Sequence, residues 1–243
     1  MEFKEYFRDW LRVIDQDSMM KAVSWLQKQD INKICPSYYD IFKAFTMTTL
    51  RDCKVVIIGQ DPYPQKGVAT GLAFANKKGT MDLSPSLEVL KEACIDYTVP
   101  HGPIEFDCTL ESWAKQGVLM LNTALTCEVN KPGSHTLLWH PFTSKLLSNM
   151  SRESTGIIYV LMGIHALAYK GFINDKSNDI IECNHPAYHA RARIPMPNVF
   201  KEINKLLKEK YNTTIEWYKE LNNNYEDERD ESISENFFWP GPL

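Results

Sequence analysis

A chain of 243 residues with 44% hydrophobic and 24% charged side chains has the balance of a soluble globular protein and enough length to bury one α/β core. Its net charge is -4, and no apolar run approaches the roughly 20 residues of a membrane-spanning helix, so neither a membrane span nor a uniformly basic nucleic-acid coat is expected. The acid is concentrated at the end: residues 222–243 hold Glu226, Asp227, Glu228, Asp230, Glu231 and Glu235 against Arg229, a net of -5, which leaves +1 for residues 1–221. A nearly neutral body with local basic patches can still approach DNA, because phosphate contacts act over about a Debye length, roughly 8–10 Å.

In chain order, the first 50 residues read as a helical flank with aromatic anchors at Tyr6, Phe7, Trp10 and Trp25. They mix both charge signs and lack an uninterrupted apolar stretch, so they do not read as a signal peptide. An intracellular location is expected, cytoplasmic, or nuclear in a eukaryote. Four short apolar runs rich in β-branched residues follow, at 55–58, 118–121, 157–162 and 180–183. Continuous apolar runs of this length predict buried strands of a mostly parallel four-stranded sheet. Helical patterns lie between and after them, at 84–95, 110–116, 140–150 and 197–211, with Pro85 suited to a first helical turn. Alternating strand and helix predict an α/β fold with helices on both faces of the sheet.

One domain is expected over 1–221, followed by an acidic tail over 222–243 that is too polar to fold alone. The tail ends in Phe237-Phe238-Trp239-Pro240-Gly241-Pro242-Leu243, and a docking peptide and a disordered end are both open readings. The six cysteines, Cys35, Cys53, Cys94, Cys108, Cys127 and Cys183, show no paired spacing for zinc, an iron-sulfur cluster or a redox couple. Free thiols are expected, with no metal and no cofactor.

Ligands of an open parallel sheet bind beyond the carboxyl ends of its strands, so the residues after each run carry the functional reading. They are Gly59-Gln60-Asp61-Pro62-Tyr63, Asn122-Thr123-Ala124, Gly163-Ile164-His165 and Asn184-His185-Pro186. A carboxylate, a carboxamide and an imidazole thus share one edge, with Tyr63 and Phe74 as flat surfaces. That set suits a planar, polar, uncharged ligand such as a nucleobase. Taken singly, Asp61 before Pro62 could only set a turn, Asn122 only end a strand, and His185 only be a satisfied half-buried ring. Five such groups at one edge are harder to explain as packing. Trp113, Trp139 and Phe142 read as core.

These motifs, in this order over the central two thirds of the chain, resemble the family 1 uracil-DNA glycosylases. The resemblance implies that Asp61 is the catalytic acid that orients the attacking water and stabilises positive charge on the sugar. It implies that His185 donates to the departing uracil, Asn122 reads the base edge, Phe74 stacks on the ring, Tyr63 excludes a 5-methyl group and Gln60 lines the pocket rim. Ser86, Ser134, His135, Gly163, Tyr188, His189, Arg191 and Arg193 fall in loops that in the family touch DNA. Uracil-containing DNA, single- or double-stranded, is then the substrate, bound by a monomer, with a protein inhibitor or replication partner left open. The chain departs from the family at Pro64, where a histidine is usual, at Ile164, where a serine is usual, and after His185-Pro186. There the family's apolar wedge corresponds to His189, with Tyr188 the alternative. A histidine fills less apolar volume than leucine, so single-stranded DNA is the expected preference. A second reading, from another class, is a weakly catalytic DNA-binding accessory subunit on the same fold.

Overall fold

The computed structural model describes residues 3–95, 97–99 and 101–221. The tail expected over 222–243 lies outside the described residues. Four parallel strands form the centre: β1 (Val55–Gly59), β2 (Val118–Asn122), β3 (Ile158–Met162) and β4 (Asp179–Cys183), in the order β2-β1-β3-β4. All residues of β1, β2 and β3 are buried, as their unbroken apolar runs require, and each large aliphatic among them contributes about 1.5–3 kcal/mol by leaving water. The outer strand β4 is mixed, with Glu182 exposed and paired to Lys170 at 2.7 Å.

The flanking helices used below are α1 (Gln16–Leu26), α2 (Pro85–Cys94), α3 (Thr136–Glu153), α4 (Pro186–Ala192) and α5 (Val199–Tyr211). Local chemistry sets their starts. Asp15 caps α1 by accepting the Ser18 N–H at 2.8 Å, and Asn198 caps α5 by accepting the Lys201 N–H at 3.0 Å. Pro85 and Pro186 occupy first-turn positions, where a missing N–H breaks no helical bond. In α5 the buried residues Val199, Phe200, Ile203 and Leu207 fall on one face, the spacing that made this helix legible.

Two elements differ from expectation. Helix α3 begins at Thr136, earlier than the pattern around Pro141 suggests, and carries that proline inside its second turn, where only one backbone bond is forfeited. The residues after His185-Pro186, read as a loop, form α4. Two short antiparallel pairs were also not expected, Ile34–Cys35 with Cys127–Glu128 and Ile104–Glu105 with Lys219–Glu220. Their two-residue strands are too short to show a period.

The N-terminal flank is helical, with Phe7 and Trp10 buried against Phe42 and Phe45, and with the Trp10 indole N–H donating to the Thr48 carbonyl at 2.7 Å. Trp113, Trp139 and Phe142 are fully buried packing residues. All six cysteines are free thiols. Among the described residues no helix is long and apolar enough to cross a membrane.

Candidate nucleobase site

The strand order runs outward from β1 to β2, then returns to β3 on the other side of β1, so the crevice lies where the order reverses. Parallel register sets Gly59 beside Asn122 and Met162 beside Cys183. The segments that follow, 59–63, 122–126, 163–167 and 184–189, therefore leave the sheet at the same edge.

Gly59 lets the groups close in. A Cβ at this position would lie 2.7 Å from Asn122 Oδ1 and 3.1 Å from Phe74 Cζ, so the carboxamide and the ring both rest on bare backbone. Phe74 holds a left-handed backbone (φ 65°), an uncommon state for a bulky residue. Its carbonyl accepts the Tyr63 hydroxyl at 3.0 Å, which pins that turn. The Phe74 and His185 rings are 5.5 Å apart. Asn122 is buried, so a ligand must satisfy whatever its amide presents.

We expect Gly59→Ala to weaken binding of a free nucleobase at least about tenfold, the scale of one misplaced buried hydrogen bond. The folded content by circular dichroism should be retained. Unchanged binding would show that Asn122 and Phe74 do not form the base-holding surface.

The imidazole of His185 has a fixed tautomer. Its Nδ1 accepts the Ala187 N–H at 3.1 Å, so in the neutral ring the hydrogen sits on Nε2, which becomes a donor. Burial first, then the charges of Arg191 and His165, hold its pKa below the ordinary histidine value and favour that neutral form. Gly163 (φ 86°) stands against it: a Cβ there would lie 2.7 Å from His185 Cβ.

The half-buried Asp61 accepts the Gly133 N–H at 2.5 Å. Burial raises its pKa, while the Gly133 N–H and the charge of His165 pull it back. The loop around it is tied down by backbone, with the Gln60 carbonyl accepting from Ala124 N–H and from the Thr123 hydroxyl at 2.9 and 2.7 Å. The carbonyl of Pro64 accepts the Asn130 N–H at 2.9 Å. Tyr63 is immobilised: its hydroxyl also accepts from the Ser84 hydroxyl at 2.6 Å, and burial pushes its pKa up to about 12, so the phenol stays neutral.

The expected DNA-contact residues divide by exposure. Ser134, Tyr188, Arg191 and Arg193 are exposed, and Gly163 is half-exposed. Ser86, His135 and His189 are buried, at 7%, 3% and 4% exposure, and in this conformation offer DNA almost no surface. His135 Nδ1 lies 2.9 Å from the Thr126 hydroxyl, with the ring edge-on to Trp25. On α4 it is Tyr188, 45% exposed, that faces outward where the wedge was expected at His189. Two contributors escaped the sequence reading: Ser84, which tethers Tyr63, and Gly133, which reaches Asp61 from 72 residues away; His165, placed at the sheet edge without a role, acts electrostatically on both Asp61 and His185. Only Ser84 had a signal, as the polar residue before Pro85. Among the described residues no group of three or more His, Cys, Asp or Glu is placed to hold a metal ion.

Carboxamide, aromatic ring, neutral imidazole and carboxylate at the carboxyl edge of a parallel sheet define an α/β protein whose sheet-edge groups suit a flat polar ring such as a nucleobase. Comparison with known proteins then gives the family. A model of the uracil DNA glycosylase superfamily matches residues 46–208, and the chain belongs to that superfamily. A uracil-DNA glycosylase of Francisella tularensis subsp. novicida is 39% identical over 187 residues, covering 76% of this chain and 84% of the relative. One from Escherichia coli O6:H1 is 36% identical over 193 residues, covering 79% and 84%. The crystal structure of mimivirus uracil-DNA glycosylase shares the fold with a TM-score of 0.68 at 21% identity, over 88% of this chain and 91% of that one. A mimivirus UNG variant in complex with UGI gives 0.73 at 24%, over 89% and 91%.

Proposed function

We infer that this chain is a DNA repair enzyme that excises uracil from DNA and leaves an abasic site, and that the groups gathered at the sheet edge carry the reaction. The observation that carries this reading is the fixed tautomer of His185, whose Nε2–H is free to donate beside Phe74 and Asn122. Uracil, turned out of the DNA stack, lies on Phe74 with its polar edge on Asn122 and its C5 side against Tyr63. The bond between base N1 and sugar C1′ breaks with its electron pair going to the base. His185 Nε2–H stabilises the resulting uracil anion, and Asp61 faces the oxocarbenium-like sugar. Water held by Asp61 adds to C1′ and gives up a proton, and the proton balance closes when the released base is protonated. The protein residues end the cycle unchanged.

Incubation of the purified chain with a uracil-containing oligonucleotide, followed by alkaline cleavage of abasic sites, tests this directly. No cleavage above a uracil-free control would end the reading. Residues 1–221 act as one catalytic domain in a monomer, working inside the cell where the genome is. The sheet-edge groove is also the surface for a protein inhibitor; one solved relative is in complex with UGI.

The outward ring of Tyr188 fills the gap left by the extruded nucleotide. Base–aromatic stacking is worth about 1–3 kcal/mol, so Tyr188→Ala should lower duplex activity roughly tenfold relative to single-strand activity. His189→Leu, at a buried position, should leave that ratio unchanged. If the ratio follows His189 and ignores Tyr188, the wedge lies where the sequence pattern first put it.

A further inference from the structure

Uracil excision makes no use of the cysteines, yet two of them are matched. Cys35 and Cys127 stand directly opposite each other in the short antiparallel pair Ile34–Cys35 with Cys127–Glu128, and both are free thiols. Among the described residues no other two cysteines are register partners. Opposed residues of such a pair project their side chains to one face with Cα atoms about 4.5–5.5 Å apart, inside the roughly 4.4–6.8 Å that a disulfide spans. The shared face lies under the turn that follows Asp61. The Cys127 thiol donates to the Pro62 carbonyl at 3.4 Å, and the Cys35 thiol lies 3.5 and 3.7 Å from the carbonyls of Pro64 and Gln65. Ala69 and Tyr63 pack with the two sulfurs in a small cluster apart from the main core. Burial, then the charge of Asp61, pushes the pKa of Cys127 up to about 12. Burial also raises that of Cys35, but the charge of Lys66 pulls it back, so Cys35 is the readier nucleophile. Both residues are buried, while Gln65, Lys66 and Gly67 of the turn over them are exposed, so the pair lies just below the surface.

We propose that Cys35 and Cys127 are a redox modification site, oxidised by a hydroperoxide to a reversible disulfide that displaces the Asp61–Tyr63 turn and stops excision. The Cys35 thiolate attacks one peroxide oxygen and the O–O bond breaks. The sulfur becomes a sulfenic acid, and the other oxygen leaves as water once protonated. Cys127, giving up its proton, attacks the Cys35 sulfur; the S–O bond breaks and the hydroxyl leaves with that proton as a second water. Two thiols and one hydrogen peroxide thus give one disulfide and two waters. A dithiol reverses the bond by exchange and is itself oxidised. In the disulfide neither sulfur carries a hydrogen, so the carbonyls of Pro62, Pro64 and Gln65 lose their thiol contacts, and the sulfurs close to about 2.05 Å. Catalytic groups work only within about 0.5 Å of the productive geometry, and Asp61 is the residue next to Pro62.

The full chain is treated with hydrogen peroxide, quenched with catalase, alkylated and digested, and its peptides are mapped by mass spectrometry. A second portion is assayed for single-turnover uracil release before and after dithiothreitol. The expected result is a linked Cys35–Cys127 peptide and uracil release at least about tenfold slower than in the untreated chain, the scale of a misplaced catalytic group. Dithiothreitol should restore the rate, which it does not do for methionine sulfoxide or sulfinic acid. Cys35→Ala and Cys127→Ala, each compared with its own untreated sample, should keep their rates under peroxide. The linked peptide is read without any assay of activity, so failure of the switch and failure of the uracil reading are distinguishable. No linked peptide, an unchanged rate in the linked chain, or an equal loss in either alanine variant would overturn the proposal.

Discussion

Asp61→Asn and His185→Leu are each expected to slow single-turnover uracil release by at least about 100-fold, the scale of one positioned catalytic group. The two losses have different electrostatic origins, which pH separates. Burial raises the pKa of Asp61 above the usual carboxylate value, and burial lowers that of His185 below the usual histidine value. The active combination, ionised Asp61 with neutral His185, is therefore populated above both values, and the rate should fall on the acid side as either group takes up a proton. The same shift predicts a stability effect. For a carboxyl whose folded pKa is raised, the cost of ionisation is absent below the unfolded pKa, grows as pH rises through the folded value and is complete above it. Asp61→Asn should thus melt higher than the parent at neutral pH, with the difference vanishing near about pH 3, below the ordinary Asp range. Asparagine can still accept the Gly133 N–H through its carbonyl oxygen. Near-normal rates in both folded variants would remove Asp61 and His185 from the catalytic roles. A melting temperature unaffected by Asp61→Asn at any pH would show that the buried charge costs the fold nothing.

Such a site was largely legible in the sequence because each of its main groups ends an apolar run. Strands as continuous as 118–121 have one reading, and the residue after a buried parallel strand has one place to go, the carboxyl edge. Gly59, Asp61, Asn122 and His185 could therefore be gathered without coordinates. Contacts made across loops could not. The Gly133 N–H meets Asp61 only because the 122–135 segment folds back over the 60–64 turn, and no period or spacing records that approach. The direction of side chains on α4 was hidden for a similar reason. Read as a loop, the segment after Pro186 gave the wedge position to His189, with Tyr188 only as the alternative. As a helix it puts them about 100° apart, one inward and one outward. Buried placement of Ser86 and His135 follows the same rule: a polar residue near a motif looks like a contact until the helix beside it fixes its direction.

Base choice should fail at Tyr63 in a graded way. Thymine differs from uracil by one methyl group at C5, and a pocket rejects it only if the wall cannot yield. A soft wall would discriminate weakly, since an added methyl in a mobile site is accommodated by small shifts, whereas overpacking a rigid site costs about 1–3 kcal/mol. The wall here is rigid because three tethers hold it: the Tyr63 hydroxyl donates to the Phe74 carbonyl at 3.0 Å, accepts from the Ser84 hydroxyl at 2.6 Å, and Asn76 Oδ1 fixes Ser84 through its N–H at 2.9 Å. Tyr63→Ala removes the ring and should release thymine from a thymine-containing oligonucleotide at measurable rate under enzyme excess. Tyr63→Phe keeps the ring and loses the tethers, so its thymine activity should fall between those of the parent and Tyr63→Ala. Ser84→Ala, which removes one tether and leaves the phenol in place, should be milder still. At the other edge of the base, Asn122→Asp replaces a donor with an acceptor and should admit cytosine, whose hydrogen-bonding pattern at N3 and C4 is reversed. The order Tyr63→Ala above Tyr63→Phe above Ser84→Ala in thymine release is the result that separates a rigid wall from a merely occupied one. A Tyr63→Ala variant that still excises uracil but releases no thymine would show that the methyl group is excluded by some other surface of the pocket.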